Sequence, residues 1–268
     1  MTNMPYYDVT KVEQTLIDQI PPAISTRDLD HILKTLTKLY TDEEYQDCLS
    51  AMLIIEKYLF RAYELKHFIS DQSVIDYNEY FFNEDTHKQI VTEAKAKLDV
   101  PQAIEEYQKG VALVKETKNN EAYEYFKRSA MQGNTDGAFN YAICLNRGEG
   151  CEPNLIESAF WYWVAACEGN RKAMSNLAYC YSKGIGVCAD EMNMLYWFIL
   201  AGLKGDFMAI KSVASLLLKG IGLPNLQPIG QRIMALLMRQ DEVSENLITK
   251  TLSSLKENLE PYIYNRNF

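Results

Sequence analysis

A spacing of 36 residues constrains this chain more than any other feature. Gly133, Gly169 and Gly205 differ by 36 positions, and so do Gly148, Gly184 and Gly220, and Gly150, Gly186 and Gly222. Ala142, Ala178 and Ala214 keep the same register. Upstream, Tyr125, Trp161 and Trp197 align, followed by Phe126, Tyr162 and Phe198, and then by Ser129, Ala165 and Ala201. No insertion breaks the register. A fixed period of this length marks stacked supersecondary units, each unable to bury its apolar face alone.

One unit shows what the period encodes. Ser158 to Glu168 has no internal Gly or Pro and reads as a helix ending at Gly169. Lys172 to Ser182 reads as a second helix that runs into Gly184. Glycine is the residue that takes the left-handed conformation after a helix at least cost. The alanines let the two helices approach closely, and the Trp/Tyr pair fills the layer between neighbouring hairpins. The Gly-x-Gly turns lack the third glycine and preceding strand of a dinucleotide-binding loop, and they recur at the repeat period, so they read as structural turns.

The pattern Trp161, Tyr162, Ala165, Ala166, Gly169, Ala173, Leu177, Ala178, Tyr181, Gly184, Gly186 and Val187 resembles the Sel1-like repeat, a relative of the tetratricopeptide repeat. Units 158–190, 122–154 and 194–226 carry it. In 122–154, Gly137 stands where Ala173 is and Leu145 replaces Tyr181; in 194–226, Leu217 replaces Tyr181. Just upstream, Ala103, Tyr107, Gly110 and Ala122 resemble a tetratricopeptide hairpin, with a helix over 102–117. The resemblance implies an all-α right-handed solenoid of helical hairpins with helical caps, and a non-catalytic adaptor or scaffold role. Some secreted relatives join a Cys late in the first helix to one early in the second. Here Cys167 stands at the first place and Lys172, Ala173 and Met174 occupy the second, so that bridge does not carry over.

The expected organisation is an irregular arm over 1–24, a helical region over 25–100, the tetratricopeptide-like hairpin and three repeats over 101–226, and a helical cap over 227–268. Ser25 to Asp28 and Thr41 to Glu44 have capping-box form and predict helices over 26–40 and 42–68. A polar helix is predicted over 85–98. In the cap, one helix runs from Pro228 to about Arg239. A last one, about 242–259, places Ile248, Leu252, Leu255 and Leu259 on one stripe and stops at Pro261.

The chemistry is sparse. Paired carboxylates at Asp42-Glu43-Glu44, Glu84-Asp85 and Glu105-Glu106 read as acidic first turns favoured by the helix dipole. His31, His67 and His87 fall in no metal-ligand frame, and no cysteine sits in a nucleophile motif. No catalytic residue, cofactor or metal is predicted. The 36 acidic and 27 basic residues give a net charge of −9, a poor match to nucleic-acid phosphates. No apolar run approaches the roughly 18 residues of a membrane span. The start, Met1 to Asp8, lacks the basic and apolar regions of a signal peptide. A cytoplasmic chain whose six cysteines are thiols is therefore expected.

Binding in a solenoid usually falls on the helices lining its inner face. Stripped of repeat-defining positions, the Trp-bearing helices of units two and three stay apolar: Phe160, Trp163, Tyr196, Ile199 and Leu200. Such helices are buried on every side or expose a patch that means something. One reading makes these residues a groove for a partner protein's helix or extended peptide, with Lys127 and Arg128 pairing its acidic residues. The other fills the groove with the chain's own N-terminal arm or helices. The alternative function is an enzyme or a small-ligand or lipid binder using the same apolar groove.

Overall fold

The computed structural model of the chain describes residues 100–187, 189–222, 225–239 and 241–264. The readings made for 1–24 and 25–99, with their capping boxes and histidines, lie outside these residues. Among the described residues the regular structure is helix alone. It comprises α1 (Val100–Lys115), α2 (Asn119–Met131), α3 (Thr135–Arg147), α4 (Leu155–Cys167), α5 (Arg171–Lys183), α6 (Glu191–Leu203), α7 (Phe207–Leu218), α8 (Gln227–Leu237) and α9 (Glu242–Tyr264). The chain divides into two units, Met1–Pro153 and Asn154–Phe268.

In the first unit α1 packs on α2 and α2 on α3. Gly110 is where α1 meets α2: a Cβ there would stand 2.7 Å from Phe126 Cε1. The buried Ser129 hydroxyl donates to the Ala103 carbonyl at 2.6 Å, tying the same pair together. The α2–α3 contact explains the departures from the repeat pattern. Ser129 stands where the other units have Ala165 and Ala201, and a Cβ on Gly137 would come 2.5 Å from its Oγ. The Ser/Gly pair thus replaces the Ala/Ala pair of Ala165 and Ala173, keeping the summed volume at the contact. Tyr141 and Leu145 in α3 likewise stand where Leu177 and Tyr181 stand in α5; all four are buried. The large and the medium side chain have exchanged places one turn apart.

In the second unit α4, α5, α6, α7 and α8 pack consecutively, and α9 packs on both α6 and α8. The period is written into the helix caps as well. Asn134, Asn170 and Asp206, 36 apart, each accept from backbone N–H groups of the following first turn, at 2.7 to 3.1 Å. Asn154 and Asp190 do the same for α4 and α6. Such caps satisfy donors that a helix leaves unpaired. The second glycine of the Gly184-Ile185-Gly186 turn has φ +70°, and a Cβ on it would collide with the Leu155 carbonyl. The turn reading holds.

Several boundaries differ from expectation: the helix read from Ser158 begins at Leu155, and the one read to about Arg239 ends at Leu237. The tetratricopeptide-like helix expected over 102–117 runs from Val100 to Lys115. Pro261 lies inside α9, which continues to Tyr264. Proline cannot donate to the carbonyl four residues back, that of Glu257, but both residues are exposed, so water can satisfy that oxygen.

Candidate protein-binding surface

The Trp-bearing helices are interior. Ten consecutive residues of α4, Ser158 to Cys167, are buried, and so is most of α6. Phe160 meets Trp161 edge-on at 5.3 Å between centroids and lies 6.1 Å from Trp163. Exposures at Phe160, Trp163, Tyr196, Ile199 and Leu200 are 0%, 4%, 1%, 0% and 7%. All five residues expected to line the groove are buried in this structure. For α6 the covering elements among the described residues belong to its own unit. Helices α5, α7 and α9 all pack on it, and Leu252 of α9 reaches Gly202, where a Cβ would stand 3.1 Å from its Cδ1.

Lys127 and Arg128 lie on α2, in the other unit. Lys127 is half-buried. Arg128 Nε stands 3.3 Å from Glu106 Oε1, and its guanidinium lies over the Tyr125 ring at 4.3 Å. Glu106 also accepts from Gln132 Nε2 at 3.1 Å. Arg128 therefore joins α1 to α2 and already has an acidic partner in its own unit.

In the second unit α5, between the Trp-bearing helices, and α7, which follows them, each carry a wet stripe. In α5 the exposed or half-exposed residues Lys172, Asn176, Tyr179 and Lys183 recur at helical spacing, so they form one stripe. In α7 the matching stripe runs through Met208, Lys211, Ser215 and Leu218. The N-terminal part of α5 meets the turn that opens α7: Arg171 Nη1 donates to the Gly205 carbonyl at 3.3 Å, and Ser175 Oγ donates to Asp206 Oδ2 at 2.8 Å. Large apolar side chains stand out of this face, with Tyr179 54% exposed, Phe207 47%, Met208 68% and Leu218 40%. Sequence reading missed this face because it looked for binding on the most apolar helices. The usable signal was the pair of non-repeat positions 172/208 and 179/215.

Nothing on this face is arranged for thiol chemistry. Burial pushes the Cys180 thiol up to about 12, and the Cys144 thiol in the first unit likewise to about 12, so neither ionises near neutral pH. Cys144, Cys151, Cys167 and Cys180 are all thiols, as expected. Among the described residues no group of His, Cys, Asp and Glu is placed to hold a metal ion, and no helix is long and apolar enough to cross a membrane.

A family model described as the Sel1 repeat matches residues 103–134, 135–170 and 171–206. Its spans begin on α1, α3 and α5, so each Trp-bearing helix closes a repeat instead of opening one. It takes in the segment expected to be tetratricopeptide-like and ends before α7. Among solved structures, the chain is similar to that of a Sel1 repeat protein from Oxalobacter formigenes, at 18% identity. The match covers 87% of this chain and 89% of that one, with a TM-score of 0.45. It is also similar to c5321, a protective antigen present in uropathogenic Escherichia coli strains and displaying an SLR fold. There the identity is 18%, the coverage 96% of this chain and 47% of that one, and the TM-score 0.40. No curated protein matches the chain.

Proposed function

Residues 103–206 being three Sel1 repeats, we propose that this protein is a non-catalytic intracellular adaptor or scaffold that holds another protein on the wet stripes of α5 and α7. Sel1 repeats commonly mediate protein–protein interaction. The observation that carries the reading is the inversion of burial between neighbouring helices. Helices α4 and α6 bury most of their residues, while α5 and α7 beside them present Tyr179, Phe207 and Met208 to water. Aromatic side chains and methionine are enriched where proteins meet, and clustered exposed apolar groups mark such places. A reducing compartment suits the thiols at Cys144, Cys167 and Cys180.

The test compares the full chain with a Tyr179→Ala/Met208→Ser variant in native capture, with circular dichroism as the check on folding. A protein retained by the wild type and lost by an equally helical variant supports the reading. Equal retention by both removes α5 and α7 as the binding face.

A further inference from the structure

The charges on the α5–α7 face are one-sided. Helix α5 carries Arg171, Lys172 and Lys183 and no acid. Helix α7 carries Lys211, and Lys219 is its C-cap. The carboxylate at the joint, Asp206, is half-buried and engaged within the protein. Its Oδ1 accepts from the Met208 and Ala209 backbone N–H groups, and its Oδ2 accepts from Ser175. The ion pairs among the described residues all lie on other helices or turns, at Lys109–Glu105, Lys118–Glu116, Arg128–Glu106, Arg147–Glu149 and Lys256–Glu260. A chain of net charge −9 thus keeps unneutralised cations beside its exposed apolar side chains on one face.

We propose that this face recognises an acidic, extended segment of the partner protein, which sets apolar side chains on Tyr179 and Met208 and carboxylates on Lys172, Lys183 and Lys211. The proposal rests on the protein-binding reading above and names the chemistry of the partner. Complementary charge supplies orientation and rejects wrong partners more than it adds affinity. Lys172 and Lys183 are eleven residues apart on one helix, about 16 Å at 1.5 Å per residue. An extended segment covers that distance in about five residues at 3.3 Å each. The segment therefore carries acidic residues about five apart, with an apolar residue between them. Phosphate backbone suits the face less well, because Met208 and Leu218 stand between the cations.

The experiment selects random peptides of about twelve residues, displayed on phage, on the immobilised full chain and on a Lys172→Glu/Lys211→Glu variant. Both substitutions sit on exposed helix positions, and Glu at the start of α5 suits the helix dipole. The expected pool on the wild type is net negative with aromatic or aliphatic centres. The variant loses that enrichment, and selected peptides bind the wild type tenfold or more weakly when salt rises from 50 to 300 mM. A pool without acidic excess, or one unchanged on the variant, overturns the proposal. A neutral apolar pool that still depends on Tyr179 and Met208 overturns acid recognition alone and leaves the protein-binding reading standing. A pool indifferent to both kinds of substitution overturns both. Displacement of selected acidic peptides by random single-stranded RNA, dependent on the same lysines, assigns the face to nucleic acid instead.

Discussion

Helices α4 and α6 carry the chain's three tryptophans and bury most of their residues beyond the first turn, whereas α5 and α7 alternate with them and each leave one stripe wet. The two kinds of helix have equal standing in the repeat, yet they divide its labour. An all-round apolar helix in a stack is not spare binding capacity; it is the layer that neighbours close from several sides. The binding face is then left to the helices whose outer positions the repeat does not prescribe. The second unit makes this visible because α9 also packs on α6, beside α5 and α7.

The largest effect should come from cutting into the interior kind of helix. Phe160→Ala is expected to cost about 3–5 kcal/mol of unfolding free energy in urea. A loss under about 1 kcal/mol would make α4 a surface helix and erase the contrast.

The next prediction concerns the exchanged small residues of the first unit. Gly137→Ala alone should destabilise by about 1–3 kcal/mol through overpacking against Ser129. Combined with Ser129→Ala, the cycle should show a favourable coupling above about 0.5 kcal/mol. Strict additivity would mean that Ser/Gly and Ala/Ala are not two solutions to one contact.

A third prediction uses acid–base linkage at the back of α5. Below its ordinary value of 9.0 the Cys180 thiol is protonated in folded and unfolded chains alike. As pH rises further, the unfolded thiol ionises first, because the folded one holds its proton to about 12. The unfolded state then binds fewer protons, so stability falls with rising pH in that window, by at most about 1.4 kcal/mol per unit for one thiol. Urea midpoints measured from pH 9 to pH 11 should fall less steeply for Cys180→Ala than for the wild type. Identical slopes would contradict burial of this thiol.

The smallest effect is expected on the wet stripe. Tyr179→Ala should leave stability within about 0.5 kcal/mol of wild type while weakening partner capture. A loss comparable to that of Phe160→Ala would place Tyr179 in the core.

The period, the hairpins and the turns were legible in the sequence because they rest on residues with local requirements. Gly186 is dictated by a positive φ and a carbonyl close by, and Trp161 by a layer that repeats. The caps at Asn134, Asn170 and Asp206 were equally local and were overlooked, although they share the period. The state of α6 was not legible from its own residues. Tyr196, Ile199 and Leu200 look the same whether a partner or a distant segment covers them, and contacts with α9 span some 50 residues of chain, as Gly202 and Leu252 show. The phase of the repeat was ambiguous for a related reason: a period marks the spacing of helices, not which helix opens a unit.

The division between interior and wet helices meets its most direct test in the fluorescence of Trp161, Trp163 and Trp197, the three tryptophans of the chain. All are buried, on α4 and α6 alone. Iodide quenching of the native full chain should be nearly absent, with a blue-shifted emission maximum, and should appear only when urea unfolds the protein. Efficient quenching of the native chain would show the Trp-bearing helices open to solvent. That result would return the binding face to Phe160, Trp163 and Tyr196.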